Sequence, residues 1–168
     1  LEKNLWPVEV DQGQIEQVLL NLYVNAWQAM PGGGNLYLDT QNVYIEHDRY
    51  KPYVSMNGKY VKISITDTGV GMDEKTKERI FEPFFTTKEM GRGSGLGLAS
   101  VYGIIKNHNG FINVYSEKGQ GTTFNVYLPV SGKAEHFAQN KLTIDDSLLF
   151  RGSGTILFVD DEPMVLNV

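Results

Sequence analysis

The stretch KYVKISITDTGVGM, residues 59–72, decides the fold. Val61, Ile63 and Ile65 alternate with Lys62, Ser64 and Thr66, the period of a strand with one apolar and one polar face. The alternation stops at Asp67, and glycines follow at positions 69 and 71. A strand that ends on an acid and runs into a glycine-punctuated turn places one acceptor beside an unobstructed backbone. By itself this is either an Asp turn or one wall of a binding site.

Upstream, Ile15, Val18, Leu19, Leu22, Ala26, Ala29 and Met30 recur at helical spacing, predicting an amphipathic helix over 11–30. Asp11 is its N-cap and PGGG at 31–34 its stop. A second strand is predicted around Asn35–Glu46, and HDRYKPYVSMNGK at 47–59 reads as a hairpin excursion between the two strands. Downstream, residues 67–97 are glycine-rich loop with one short helix near Glu74–Ile80. Leu98, Val101, Tyr102 and Ile105 mark another helix, closed by Asn109-Gly110 as a left-handed cap. Phe111–Ser116 and Thr122–Leu128 are two strands joined by EKGQG at 117–121. The order predicts an α/β (α+β) two-layer sandwich, with helices on one face of a mixed, mostly antiparallel sheet over residues 1–130. From 131 to 153 the pattern dissolves into a polar linker, and TILFVDDEPMVLNV, near 154–168, begins something new.

Composition narrows the function. The 168 residues carry a formal net charge of −5, with both signs interspersed, which argues against a nucleic-acid groove. The absence of cysteine excludes disulfides and thiolate metal sites and fits a reducing compartment. No apolar run approaches the roughly 18 residues of a membrane span, and no signal peptide is visible. The chain starts at Leu1 and stops inside an apolar run, so a piece of a longer protein is expected.

Four stretches carry chemistry. Asn21 and Asn25 lie four apart, one above the other on a helix face beside the apolar stripe. Their amides either cap neighbouring backbone groups or hold a hard cation such as Mg²⁺ that carries phosphates. Asp67 can accept from an exocyclic amine such as that of adenine, with Gly69 and Gly71 letting a flat ring approach. FEPFFTTK at 81–88 would anchor a loop through its phenylalanines and project Lys88 toward whatever the loop covers. GRGSGLGLAS at 91–100 lacks the Lys-Ser/Thr of a P-loop and the spacing of a dinucleotide fingerprint. It runs straight into a helix near Leu96, however, and free backbone N–H groups before a helix N-terminus form an anion site. It reads as a lid over phosphates.

NLYVNA, DTGVGM, FEPFFTTK and GRGSGLGL, in that order, resemble the N, G1, F and G2 boxes of the catalytic ATP-binding domain of sensor histidine kinases, relatives of gyrase and of chaperone and mismatch-repair ATPases. The resemblance covers residues 1–130. It implies that Asn25 ligates Mg²⁺, with Asn21 supporting metal or phosphates, and that Asp67 binds the adenine amine, with Gly69 and Gly71 lining the base pocket. Lys88 and Arg92 would approach the phosphates of ATP, and Gly93, Gly95, Leu96 and Gly97 would form the lid. Thr123, in GTTF, matches a strand residue that helps hold adenine. Asn21, Asn25 and Lys88 are the implied catalytic residues.

Hydrolases of the superfamily carry a glutamate where Asn21 stands. An amide cannot act as that general base, which favours phosphoryl transfer to a protein histidine over an ATP-hydrolysing clamp or a non-catalytic nucleotide-binding module. His47 mimics an acceptor pattern in HDRYKP but lies after the N box, His108 sits at a helix end and His136 in the linker. The resemblance therefore puts the acceptor on a dimerisation domain outside this chain. The tail resembles the first strand and acidic turn (Asp160, Asp161, Glu162) of a receiver domain, which implies a hybrid kinase of two-component signalling. The implied location is cytoplasmic, without membrane contact by these residues, although the parent could be membrane-anchored.

Overall fold

A computed structural model describes residues 2, 4–45, 57–88 and 93–131. The order is α1 (Gln12–Ala29), β1 (Leu36–Ile45), β2 (Gly58–Asp67), α2 (Glu74–Arg79), α3 (Gly97–Asn107), β3 (Phe111–Glu117) and β4 (Gly121–Pro129). The strands form one sheet in the order β1-β2-β4-β3, every neighbouring pair antiparallel. Helices over an antiparallel sheet match the predicted sandwich. The expected excursion at 47–59 falls mostly outside the described residues, as do the linker beyond Ser131 and the receiver-like tail. No helix among the described residues is long and apolar enough to cross a membrane.

The core lies where α1 and α3 cover β2 and β4. Val18 and Leu22 of α1 meet Val101 and Ile105 of α3 above Ile65, Phe124, Val126 and Leu128 of the sheet. Burying such a side chain fully contributes about 1.5–3 kcal/mol, so this one cluster fixes both helices on the sheet. The register follows from alternation. Ile65 faces Phe124 and Asp67 faces Thr122 toward the helices, while Thr66 faces Thr123 on the other side of the sheet.

Local signals set the helix ends. Asp11 Oδ1 accepts from Gln14 N at 2.8 Å, the N-cap of α1. α3 stops at Asn109, whose φ of 56° turns the chain left-handed while Gly110 N–H bonds back to Ile105 O at 2.9 Å. His108 joins the two helices. Its Nε2 accepts from Asp11 N–H at 3.0 Å, so Nδ1 carries the proton and donates to Ile104 O at 2.8 Å.

Candidate functional site

A cavity of about 500 Å³ opens between α1, the end of β2, the loop before α3 and the N-terminus of α3. One end is a floor and the other is polar. Asp67 sits in the floor, only 4% exposed, among Ile80, Met72 and Phe124. Its Oδ1 accepts from Gly69 N–H at 2.8 Å, and Thr122 N–H also donates to the carboxylate. Burial pushes the carboxyl above its ordinary range, opposed by these two backbone bonds. A carboxylate has about four acceptor sites, so these two backbone bonds leave Asp67 capacity to accept from a further donor.

The turn after Asp67 is wedged on both sides. Val70 N–H bonds Ala29 O at the end of α1, and Gly119 N–H of the β3–β4 turn bonds Val70 O at 2.7 Å. A Cβ on Gly69 would lie 2.6 Å from Ala29 O, and one on Gly71, whose φ is 62°, would lie 2.0 Å from Glu117 O. The absence of a Cβ at these two positions thus has a structural reason besides the approach of a ring. Each admits neighbouring backbone, and of the two only Gly71 also lines the cavity.

Asn21 and Asn25 line the polar end, as their shared helix face predicts. The capping reading is met at Asn25. Asn25 Nδ2 donates to Asn21 O at 2.9 Å, the backbone cap, which turns Asn25 Oδ1 toward the cavity. There it accepts from Lys88 Nζ at 3.2 Å, and Gln28 Oε1 accepts from the same ammonium. Burial lowers the Lys88 pKa. Two amide oxygens thus converge on a cation, the kind of donor set that suits a hard metal ion or its stand-in. Among the described residues no cluster of three or more His, Asp or Glu could hold a metal.

The wall opposite α1 comes from two loops back to back. Phe84 N–H bonds Gly95 O at 3.0 Å, and a Cβ on Gly95 (φ 67°) would lie 2.4 Å from Phe84 C. Phe81 and Phe85 pack on the core, whereas Phe84, with φ 67°, is 74% exposed. The expected three-phenylalanine anchor is a two-phenylalanine anchor. Gly93 sits over the stems of Thr86 and Lys88. α3 starts at Gly97 beside Asn21 with no side-chain cap on its first turn, leaving its leading N–H groups toward the cavity.

Of the predicted site residues, Asn21, Asn25, Asp67, Gly71, Lys88, Gly93, Gly95 and Gly97 come together around this cavity. Gly69 supports it from behind, Leu96 is the N-cap of α3 outside the wall, and Arg92 lies outside the described residues. Thr123 is not on the wall. Its hydroxyl pairs with Thr66 Oγ1 at 2.9 Å on the other face of the sheet, and Thr122 takes the place in the cavity. Among the wall residues that the sequence reading does not single out are Thr122 and Gln28. Gln28 is three residues after Asn25 and seven after Asn21, a helical spacing that would have found it.

Residues 10–132 match the family model described as histidine kinase-, DNA gyrase B-, and HSP90-like ATPase. Among curated proteins the chain is similar to the sensor kinase CckA of Brucella abortus, 44% identical over 97% of this chain. It is also similar to sporulation kinase E of Bacillus subtilis, 41% identical over 77% of the chain. It spans only 18% and 15% of the lengths of those two relatives. Among solved structures, full-length ShkA in complex with AMPPNP is 31% identical with a TM-score of 0.58, the match covering 74% of this chain and 23% of that one. The nucleotide-free catalytic domain of histidine kinase ThkA is 34% identical with a TM-score of 0.55, covering 73% and 70%.

Proposed function

Because the chain belongs to the histidine kinase-, DNA gyrase B-, and HSP90-like ATPase family, we propose that it is the ATP-binding catalytic domain of a sensor histidine kinase. It binds Mg·ATP and donates the γ-phosphoryl group to a histidine on a separate dimerisation domain. The observation that carries this reading is one cavity with a buried amine acceptor, Asp67, at one end and a cation held by amide oxygens at the other.

In this reading Asp67 accepts from the adenine amine, and Thr122 and Gly71 border the base. Asn25 and Asn21 face the metal and the phosphates. Lys88, the N–H groups at the start of α3 and the loop carrying Arg92, Gly93, Gly95, Leu96 and Gly97 complement phosphate charge, and Gly69 backs the turn under the base. Mg²⁺ would supply charge neutralisation between the outer phosphates. The incoming imidazole nitrogen bonds to the γ-phosphorus as the bond from that phosphorus to the β–γ bridging oxygen breaks, and ADP leaves. This chain's residues hold and orient the nucleotide and shield its charge. Asn21, having no basic oxygen, leaves water unactivated.

TILFVDDEPMVLNV is the start of a receiver domain in this proposal, after a linker over 131–153. The match to CckA covers 97% of the chain and so runs well past residue 132, where the family model stops, which supports reading the tail as a conserved continuation of the chain and not a random terminus. The domain works in the cytoplasm. The test is radiolabelled ATP with this chain and the dimerisation domain of its parent supplied in trans. Label on that domain's histidine, lost when Asn25→Ala is used, supports the proposal. ATP turnover by the chain alone, with no labelled histidine, would replace it with the clamp reading.

A further inference from the structure

Gln28 has no role in any motif, yet its amide oxygen reaches the Lys88 ammonium across the mouth of the cavity. The same ammonium bonds Asn25 Oδ1 at 3.2 Å. Asn25 cannot turn that oxygen away, because its Nδ2 is tied to Asn21 O one turn back. A metal ion that takes the Asn25 oxygen meets a cation already there, and two like charges on one acceptor repel. Without a second acceptor the lysine stem, which is long and flexible, would swing into water. With Gln28 it has a place to stay, one helical turn along from Asn25 and still at the cavity rim.

We propose that Gln28 is a positioning residue: it keeps the Lys88 ammonium at the phosphate end of the cavity, so that Lys88 yields the Asn25 oxygen to a metal ion without leaving the site. The inference rests on the Mg·nucleotide reading above. It makes Lys88 a standing counter-charge for the nucleotide phosphates whether or not metal is present, and Gln28 the group that keeps it so.

Gln28 is exposed on α1, and Met has a similar helix propensity, so Gln28→Met leaves the fold intact. Two measurements on the full chain test the proposal. The first uses no nucleotide. Acetylation of the Lys88 amine by a limiting activated ester, read by peptide mass spectrometry, is expected to run several-fold faster in Gln28→Met than in wild type. The second is calorimetric titration with ADP, in EDTA and then with Mg²⁺. In EDTA, Gln28→Met and Lys88→Met should each weaken binding by about tenfold or more, the scale of one charge-assisted bond. The double variant should bind no worse than Lys88→Met alone, because Gln28 acts only through Lys88. Equal acetylation rates, or losses that add in the double variant while wild type binds ADP normally, would overturn the role of Gln28 and leave the functional reading standing. Failure of wild type to bind ADP at all would bring down both.

Discussion

Asp67→Asn separates the binding role of this residue from its structural one. The carboxylate holds Gly69 N–H at 2.8 Å and Thr122 N–H, with lone pairs left for a ligand amine. An asparagine keeps one acceptor oxygen and replaces the other with a donor. If the oxygen stays on Gly69, the new NH2 group faces Thr122 N–H or the adenine amine, donor against donor. Removing one hydrogen bond to a charged acceptor costs about 1.5–3 kcal/mol, roughly tenfold to a hundredfold or slightly more in affinity. The apo protein should be affected less. The substitution removes a charge whose burial is unfavourable, which offsets the lost backbone bond, and the melting temperature is expected to move by only a few degrees. The assay is calorimetric titration with ADP, paired with thermal denaturation of the nucleotide-free chain. An unchanged affinity for ADP in a variant that melts like wild type would refute the assignment of Asp67 to the adenine amine.

The raised Asp67 pKa gives a signed pH effect. Between the unfolded and the raised folded pKa the native state binds more protons than the unfolded one, so the stability of the apo protein falls as pH rises through that window. An amine donor favours the ionised form. Nucleotide binding should therefore release protons and weaken as pH falls into the Asp67 range, and titrations in two buffers of different ionisation enthalpy detect the release. Gly71→Ala forces a side chain onto a backbone with φ of 62° and onto Glu117 O; a loss of at least about 2 kcal/mol is expected, visible as a melting temperature lower by roughly 6 °C or more. Thr123→Val removes the outward Thr66 pair and should leave ADP affinity within about twofold of wild type; a larger loss would return Thr123 to the site.

Much of the fold was legible because its signals are local. The stripe from Ile15 to Met30, the alternation from Val61 to Thr66 and the stop at Asn109-Gly110 each needed only neighbours in sequence, and the observed elements differ by a residue or two at their ends. The paired asparagines were legible for the same reason. What escaped depends on partners distant in the chain. Thr122 and Thr123 are adjacent, and only the register with Asp67 and Thr66 tells which one faces the cavity. Gly69 and Gly71 announced that no Cβ is tolerated, but not that Ala29 O and Glu117 O are what would meet it. Phe84 looked like an anchor until its backbone turned left-handed against Gly95. Gln28 shares the helical spacing of the asparagines and was legible as a face residue, but its partner Lys88 lies sixty residues away.

His108 ties the start of α1 to the end of α3, so the two helices run antiparallel with their junction at one extreme. About ten residues, or roughly 15 Å of helix, separate that junction from the point where Asn21 meets Gly97. Between those two points Val18 and Leu22 pack on Val101 and Ile105, so the rods are clasped along their length and not only at the imidazole. The ring is a polar latch at the rear of an apolar seam, and the seam sets how far the amides of one rod stand from the first turn of the other.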